Sequence, residues 1–555
     1  LHDHLATRVL PLRLHMAAQP SDSADVVKHK ERMLTAASQP LSGWMRAADA
    51  WTGAALSTAG GTSPGMVAEW IAAETGGATH LPAVTVRASS ASARARARAH
   101  DAFHWELTFP EVFFDPAGRP LPHAGFDAVI GNPPWDMMRA DTGSRAARAD
   151  VRAHTSEAIT FCRRSGSFRL VGSGQPNRYQ LFLERALQLT RPGGRIGLLL
   201  PSGIATDHGS AALRAHLLDR TTIDTWFGFE NRRRIFPIHR SMRFVVMTTT
   251  NDGATAALRV RSGMTDHDAL MRKDVDDHVL AIARSRLEAW NPGALTIPDL
   301  PDATALALVT AIADRVPALG DPAGWHARFG RELNATDDRP HFEARTSTRT
   351  SQLTVVEGKH LAPFTLEASR STQGVGRQVA GRLLGARPFD RYRIGYRDVA
   401  SATNRLTLIA AMLPPGVVST HTIFCLKTDV DEDAQWCLLA LLNSVVANYL
   451  VRLQVTTHVT TALMARVPVP RPARDSSEFH DLARLARALA SSGITDDSSD
   501  YAALNAIAAS LYGLSRAQYR HVLDTFPLLP LGLRGRCLAA LDHVMGPPSQ
   551  ALSKA

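Results

Sequence analysis

Cysteine is scarce in this sequence, with four residues among 555 and no C-x-x-C pair. That spacing argues against a zinc site and predicts no metal centre, and a few unpaired thiols are typical of a reducing compartment. No apolar run approaches the roughly 18 to 20 residues of a membrane span. The first residues also lack the basic-then-apolar pattern of a secretory signal. The sequence therefore predicts a cytoplasmic protein that does not cross a membrane.

The formal charge is positive, +10 with a pI near 9.8, although 45% hydrophobic and 21% charged residues are an ordinary globular balance. The positive charge is concentrated between residues 345 and 405, where eleven Arg or Lys face four Asp or Glu, a local net of 11 − 4 = +7. Such a field favours a polyanionic partner. The length allows about three domains at roughly 150 residues each.

The stretch FDAVIGNPPW begins with a predicted buried strand at residues 126–130, and ligands of open α/β sheets bind at the carboxyl ends of strands. The side-chain carbonyl of Asn132 and the backbone carbonyl of Pro133 can both accept hydrogen bonds from an exocyclic NH2 group. The two prolines, Pro133 and Pro134, fix the backbone and remove competing donors. Trp135 offers an aromatic face for stacking. The four residues predict a site that holds a planar, amino-bearing base.

This stretch resembles the catalytic motif of DNA N6-adenine methyltransferases, in its Asn-Pro-Pro-aromatic form. Other stretches resemble further blocks of large methylases of the type IIG restriction–modification and phage-defence kind, and the resemblance spans about residues 20 to 530. It implies transfer of a methyl group from S-adenosylmethionine to adenine N6 at a specific sequence of double-stranded DNA. The stretches are His104–Phe113, Pro201–Asp207, Phe229–Arg232 and Tyr396–Ala400.

The predicted fold class is α/β, because strands and helices alternate after Phe126, and this alternation is typical of doubly wound sheets. With the resemblance, it predicts the second half of a Rossmann-like methyltransferase sheet. An α-helical N-terminal insertion, an α+β target-recognition domain and a helical tail complete the prediction. The predicted domains are 1–100 for the insertion, 101–255 for the catalytic half, 256–472 for target recognition and 473–555 for the tail.

The resemblance implies a glycine-rich loop that cradles S-adenosylmethionine, and such a loop follows a first strand and opens a helix. Nothing ahead of Asn132 resembles it. Our hypothesis is that the chain is the C-terminal portion of a longer protein, with most cofactor-binding residues upstream of Leu1. Asp127 is a weak candidate within the chain, with a purely structural role as the alternative. The chain by itself is expected to bind the cofactor weakly or not at all.

Two aromatic residues are candidates for contact with a target base, which must leave the duplex before it can react. Tyr179 lies in a stretch that borders the catalytic pocket in similar proteins, and a core role fits it equally well. Phe229, predicted at a strand end, could sandwich the flipped base together with Trp135.

Basic and amide side chains are candidates for DNA contact in two places. Arg232, Arg233 and Arg240 belong to a dense basic cluster after a predicted strand end, where phosphate contact is favoured over a solvated face. Arg397 and Asn404 carry the side chains that read guanine and adenine edges. The alternative for Arg397 is a structural ion pair with the aspartate that follows it.

The resemblance implies an adenine-specific DNA methyltransferase with double-stranded DNA as its partner and a nuclease domain or subunit outside this chain. The alternative from another class is a non-catalytic or partner-dependent DNA sequence-recognition subunit of the same kind of system. A third hypothesis is an RNA or protein-glutamine methyltransferase, since those enzymes use a similar Asn-Pro-Pro motif. Those enzymes are usually compact and do not need a basic domain of about two hundred residues after the motif.

Overall fold

The fold combines β-sheets with many helices, which confirms the predicted mixed α/β class. The sheets occupy the middle of the chain, and both ends of the described chain are helical. A computed structural model describes residues 1–60, 62–138, 145–172, 175–272, 277–345, 351–400, 404–455 and 457–545.

The first hundred residues form helices, as predicted. Ala and Arg alternate at residues 93–99 in the last of these helices. The arginines of this run bind acidic side chains of the protein. Arg94 lies 3.3 Å from Glu74, and Arg96 lies 3.0 Å from Glu157. The run therefore ties helices together. The helices to residue 113 are His2–His4, Leu5–Val9, Leu10–Ala18, Ala24–Ser38, Gln39–Leu41, Ser42–Leu56, Pro64–Thr75, Ala83–Ala99, Trp105–Thr108 and Pro110–Phe113.

Gly53 allows the helix Ser42–Leu56 to approach the helix Ala83–Ala99 closely. A Cβ atom at this position would overlap the backbone carbonyl of Ala93. We expect Gly53→Ala to destabilise the fold by about 1–3 kcal/mol, since backbone atoms would have to move apart. Gly535→Ala is the matched control, because it lies in a helix and its Cβ would meet nothing within 4 Å. Thermal melting should show a lower midpoint for the first variant only.

A mixed six-stranded sheet follows, in the order β1-β2-β4-β3-β5-β6. The pairs β1/β2 and β3/β5 are parallel, and β4 runs antiparallel to both of its neighbours. The domain boundary predicted at residue 255 therefore falls inside this sheet, which continues to residue 283. The strands are β1 (Phe126–Gly131), β2 (Thr190–Pro201), β3 (Thr222–Glu230), β4 (Arg243–Thr250), β5 (Ala257–Met264) and β6 (Leu280–Ala283).

β1 lies at the edge of the sheet, so the prediction of a buried strand at residues 126–130 is wrong. Among the described residues only β2 pairs with β1, and Ile130 is 90% exposed. Asp127 is also exposed and binds Arg191, whose Nε lies 2.7 Å from Asp127 Oδ1. An apolar run predicts a strand, but it does not show whether a neighbouring strand or helix covers it.

Helices connect the strands of this sheet. The sequence predicts a loop after the strand at residues 126–130 and then a helix at about residues 180–190. The structure forms this helix as Arg178–Leu189, and a second helix, Arg145–Arg164, lies where the loop was predicted. The second helix is rich in alanine and arginine, which are both good helix formers, and this signal was available in the sequence. The remaining connecting helices are Gly203–Thr206, His208–Ser210, Ala211–Arg220, Asn231–Arg233, His267–Met271, Arg284–Trp290 and Ala303–Arg315.

Two four-stranded sheets form the region after residue 320, in the orders β13-β9-β10-β8 and β12-β11-β14-β7. The single strand predicted at residues 417–426 is two strands, β13 and β14, which belong to different sheets. The strands are β7 (Phe329–Gly330), β8 (Glu343–Ala344), β9 (Gln352–Val356), β10 (Gln373–Gly376), β11 (Arg393–Arg397), β12 (Ala410–Leu413), β13 (Val417–Ser419) and β14 (Ile423–Leu426).

The helix predicted at residues 434–451 is two helices, Glu432–Leu442 and Val445–Arg452. Ser444 separates them, because its side chain accepts a hydrogen bond from Ala447 N and caps the second helix. Within the described ranges no single helix is long and apolar enough to span a membrane, and only this pair, bent by 61°, passes by length and composition. The other helices of the region are Arg339–His341, Gly358–His360, Ala368–Arg370, Arg377–Leu384, Pro388–Asp390 and Thr461–Arg466.

The tail is helical, as predicted, and it is not a separate unit. One continuous hydrophobic core contains residues of the six-stranded sheet, of the sheet that holds β11, and of the tail. Tyr501 shows the connection, because its hydroxyl donates to the backbone carbonyl of Asn443. The tail helices are Ser477–Ser492, Ser499–Leu511, Arg516–Asp524 and Leu531–Met545.

A buried ion pair joins β11 to the chain that precedes it. The Nε and Nη2 atoms of Arg393 lie 2.6 and 2.9 Å from the two carboxylate oxygens of Glu332, and the side chains are 2% and 0% exposed. Arg393 also donates to the carbonyl of Val417, and Glu332 accepts from the backbone N–H and the hydroxyl of Ser419. The pair thus connects β11 and β13, which lie in different sheets.

Candidate active site

The Asn-Pro-Pro-Trp motif follows the last residue of β1 at the edge of the six-stranded sheet. Asn132 and Pro134 are exposed and Pro133 is buried. No residue in the described ranges donates a hydrogen bond to the Asn132 side chain or the Pro133 carbonyl. The two acceptors predicted for an amino group therefore have no hydrogen-bond partner among the described residues.

The chain after the motif is held against the start of the helix Arg178–Leu189. The N–H of Met138 donates to Pro176 O at 3.3 Å, and the N–H of Arg178 donates to Asp136 O at 3.1 Å. Arg178 and Asp136 also form an ion pair at 3.4 Å. These contacts place Asn177 beside the motif and fix where the motif leaves the sheet.

Trp135 is half-buried against the end of the sheet. Its indole N–H donates to the carbonyl of Leu199 in β2 at 3.3 Å. Its ring lies 6.0 Å from that of Phe244 and 6.4 Å, edge to face, from that of Phe236. The ring orientation is therefore set by the protein, which is the requirement for a stacking surface.

Phe229 does not face Trp135. It is 2% exposed, and its ring stacks on Phe244 at 5.2 Å with an interplanar angle of 4°. This placement makes Phe229 part of the core beneath the site, and the predicted sandwich with Trp135 is not formed. Phe244 and Phe236 supply the contacts instead, and the sequence analysis missed both. The apolar run at residues 244–247 in β4 is the signal that could have found Phe244.

Tyr179 is a core residue, which was the alternative to its predicted contact with the target base. It is 1% exposed, and its hydroxyl lies 2.9 Å from the hydroxyl of Ser210. Burial raises the pKa of Tyr179 well above its usual value, so the phenol stays neutral. The residue holds the helix Arg178–Leu189 in place, and its neighbour Asn177 lies closer to the motif.

We call residues 231–242, between β3 and β4, the basic loop. Asn231 at its start is fully buried. Its amide nitrogen donates to the carbonyls of Phe236 and Ile238 at 3.0 Å, and its amide oxygen accepts from the Phe236 N–H at 3.0 Å. One side chain thus fixes the loop from inside and sets Phe236 against Trp135.

The predicted phosphate-binding arginines are exposed on this loop. Arg232 lies 2.5 Å from Glu230, and Arg233 lies 3.8 Å from Asp266. Arg240 forms no ion pair with any residue that the structure describes. Exposed ion pairs of this kind contribute about 0–1 kcal/mol, so they do not hold the arginines back from a phosphate.

Removing the Asn231 side chain should loosen the basic loop. Asn231→Ala leaves three backbone groups without their buried partner, and we expect the free energy of loop opening to fall by about 2 kcal/mol. Cleavage that tracks the open form should then be roughly thirtyfold faster. The measurement is the rate at which trypsin cuts within residues 232–240. Asn251→Ala is the control, since Asn251 also donates to two backbone carbonyls but far along the sheet. Equal rates for both variants would contradict the role of Asn231.

The structure brings Arg397 and Asn404 together at one cavity of about 540 Å³. The alternative ion pair of Arg397 with Asp398 is not formed, because Asp398 lies 3.4 Å from Arg331 and 3.1 Å from His458 instead. Successive side chains along an extended chain point to opposite faces, which explains why Arg397 and Asp398 do not meet. Residues 401–403, which lie between Arg397 and Asn404 in the sequence, are outside the described ranges.

The residues around the motif do not by themselves form a cradle for S-adenosylmethionine. Within the described ranges β1 is the first strand, and no strand followed by a glycine-rich loop and a helix precedes Asn132. Asp127, the weak candidate, is exposed at the edge of β1 and bound to Arg191.

The site combines a strand-end amide, a fixed indole and a basic loop. Residues 84–236, which contain the motif, match the family model of the Eco57I restriction-modification methylase. This match confirms the coarser part of the predicted resemblance, a methylase of restriction–modification systems. No curated protein matches the chain.

Solved restriction–modification enzymes are similar to the chain. The type IIL enzyme MmeI, solved in complex with DNA, is 12% identical with a TM-score of 0.41, over 76% of this chain and 55% of its own. The type IIG restriction endonuclease BpuSI is 13% identical with a TM-score of 0.30, over 75% and 54%. A nuclease-deletion mutant of the type ISP enzyme LlaGI, with a DNA substrate mimic, is 10% identical with a TM-score of 0.39, over 74% and 37%. The chain spans about half the length of the first two.

Proposed function

We propose that the protein is a site-specific DNA methyltransferase that transfers a methyl group from S-adenosylmethionine to adenine N6 in double-stranded DNA. It would act within a restriction–modification or phage-defence system. The observation that carries the proposal is the pair of acceptors at Asn132 and Pro133, to which no described residue donates, beside the fixed ring of Trp135. The match of residues 84–236 to a restriction-modification methylase supports it.

The two acceptors address the difficulty of the reaction. Adenine N6 is a poor nucleophile because its lone pair is delocalised into the ring. Hydrogen bonds from the NH2 group to Asn132 and Pro133 favour a tetrahedral nitrogen, whose lone pair is then free to attack. The protein contributes positioning and electrostatic stabilisation of the transition state, and no side chain with a shifted pKa is required.

The substrate must be flipped out of the duplex to reach this edge of the sheet, at a cost of a few kcal/mol. Stacking on Trp135 offsets part of that cost. Phosphates beside the flipped base would then meet Arg232, Arg233 and Arg240, because the same loop places Phe236 against the tryptophan. Asn231 therefore links phosphate binding to the position of the stacking surface.

The methyl donor needs a binding element that the described residues do not supply. We propose that this element is a strand with a glycine-rich loop and that it pairs with the open edge of β1. The 90% exposure of Ile130 supports this pairing, because a partner strand would cover it. Calorimetric titration of residues 1–555 with S-adenosylmethionine should then show weak binding or none. Micromolar affinity would contradict this part of the proposal.

A second candidate function is a recognition subunit whose methylase is silent or depends on a partner. The cavity that contains Arg397 and Asn404 favours it, because base reading there needs neither Asn132 nor the donor. Dependence of DNA modification on Asn132 separates the two functions.

The test is a base-modification map of DNA. The complete open reading frame is expressed in a host without adenine methylation, and its DNA is sequenced with detection of modified bases. We expect N6-methyladenine at one recurring sequence and none with Asn132→Ala. Unmodified DNA in the presence of folded protein would favour the recognition subunit.

A further inference from the structure

The cavity that contains Arg397 and Asn404 lies between the sheet that holds β11 and the helical tail. Its volume is about 540 Å³, within the roughly 300–1,000 Å³ of small-ligand sites. The wall combines two guanidinium groups and an amide with apolar side chains, which is the combination that suits an anion with a flat organic body. The residues used below are Arg397, Asn404, Arg405, Leu406, Ile409 and Ile494.

The two arginines of this cavity differ in what they contact. Arg397 is half-buried and forms no ion pair with any described residue. The Nη2 atom of Arg405 lies 3.1 Å from Asp496 Oδ1, yet it is buried without a hydrogen bond. The Asp496 carboxylate is 72% exposed, so this contact is weak and poorly aligned. The phosphodiester of a DNA strand, with two non-bridging oxygens that accept hydrogen bonds, would satisfy Arg405 better.

Asp496 belongs to the segment 493–498 between two tail helices, and its position is fixed. The Nη2 atom of Arg536 donates to the Asp496 carbonyl at 2.7 Å. The carboxylate is therefore presented to Arg405 by the fold and is not a chance surface neighbour.

The opposite wall of the cavity is tied to the side of the protein that carries the basic loop. Arg452 donates to the carbonyl of Asn404 at 2.7 Å and to the hydroxyl of Thr407 at 3.0 Å. Burial and the neighbouring charge of Arg243 lower the pKa of Arg452 to about 10. Arg243 is the first residue of β4 and follows the basic loop directly. The basic loop and the cavity that contains Arg397 and Arg405 are therefore neighbours.

We propose that this cavity binds one nucleotide of a DNA strand, and that Asp496 occupies the phosphate position at Arg405 until DNA displaces it. The base of that nucleotide lies against Leu406 and Ile409, with its edge toward Arg397 and Asn404. The proposal rests on the proposed function, because it takes DNA as the ligand. The tail thereby contributes an internal competitor to DNA binding.

The test is the affinity of the full chain for a fluorescein-labelled duplex of random sequence, measured by anisotropy over a range of salt concentrations. Asp496→Asn should bind about threefold more tightly, since DNA no longer has to break the ion pair. Its log–log salt slope should steepen by up to about 0.9. Arg405→Gln should weaken binding and make the slope shallower by about the same amount. A misfolded protein cannot produce the gain expected of Asp496→Asn.

Two controls make the result specific. Asp542→Asn removes the same charge from an exposed ion pair with Arg516 elsewhere on the tail and should change little. The double variant of Asp496→Asn and Arg405→Gln should lose the gain, because the two residues act through one contact. Equal effects of Asp496→Asn and Asp542→Asn would overturn the proposal, and so would a gain that persists without Arg405.

Free nucleotide and DNA strand are distinguished by calorimetry with dAMP. Micromolar binding of dAMP that needs Arg405, with unchanged DNA affinity in all variants, would overturn the assignment to a DNA strand. A chain that binds no duplex at all would overturn both this proposal and the proposed function. Duplex binding that is normal and is unchanged in the Asp496→Asn and Arg405→Gln variants would overturn this proposal alone.

Discussion

Replacing Asn132 with alanine is expected to lower the rate of methyl transfer by about a hundredfold to a thousandfold, the usual effect of removing one transition-state hydrogen bond. DNA affinity should change far less, because phosphate contacts supply most of it. The fold should not change, because the Asn132 side chain is exposed and forms no hydrogen bond with a described residue.

The measurement is single-turnover transfer of a labelled methyl group by the protein from the complete open reading frame, with DNA binding followed in parallel. Asn132→Asp is the matched variant. It keeps an oxygen that accepts from NH2, so it should retain more activity than Asn132→Ala. Equal loss in both variants would mean that the amide acts in some other way. A matching loss of DNA affinity would mean that Asn132 binds DNA and does not assist the reaction.

The largest effect on stability is expected at the buried pair of Arg393 and Glu332. Either Arg393→Met or Glu332→Leu leaves one charge buried without its partner, and we expect a loss of about 3–5 kcal/mol in the free energy of unfolding. The double variant should lose less than either single variant, because it buries no orphan charge. Urea denaturation followed by circular dichroism checks this order. A double variant less stable than both single variants would contradict it.

The same pair has a defined pH dependence. Burial alone would raise the pKa of Glu332, but the hydrogen bonds from Arg393 and Ser419 more than offset burial and hold that pKa below its usual value. Because the folded pKa is the lower one, the stabilisation is complete above the unfolded pKa of about 4.3 and is lost as the pH falls through the folded pKa. The difference in stability between wild type and the double variant should therefore shrink on acidification.

The sequence predicted the positions of strands and helices better than it predicted which residues pack around them. The segments predicted as strands at residues 126–130 and 243–250 do form strands, and a helix forms at Arg178–Leu189 where one was predicted at about residues 180–190. The exposure of Ile130 could not be predicted, because an edge strand and a central strand read alike until their neighbours are known. Phe229 shows the same limit, since its strand end was predicted while its stacking on Phe244 depends on β4.

The candidate site was predicted in its motif and less well around it. Asn132 and Trp135 could be assigned from four residues, because local chemistry identifies them. The role of Asn231 could not, since its partners appear only when the basic loop has folded back on itself. The sequence left two roles open for Arg397, base reading and an ion pair with Asp398. The structure excludes the ion pair because Asp398 binds Arg331 and His458, each about sixty residues away.

The single core that joins the six-stranded sheet, the sheet of β11 and the tail restricts how specificity can change by recombination. An exchange of residues 256–472 alone would cut the six-stranded sheet between β4 and β5. It would also replace the partners of Tyr501 and the other tail residues that pack on the helix after β14. A chimera of two such proteins is therefore expected to inherit the tail of the same parent as its recognition sheets, with the crossover before β5 excluded.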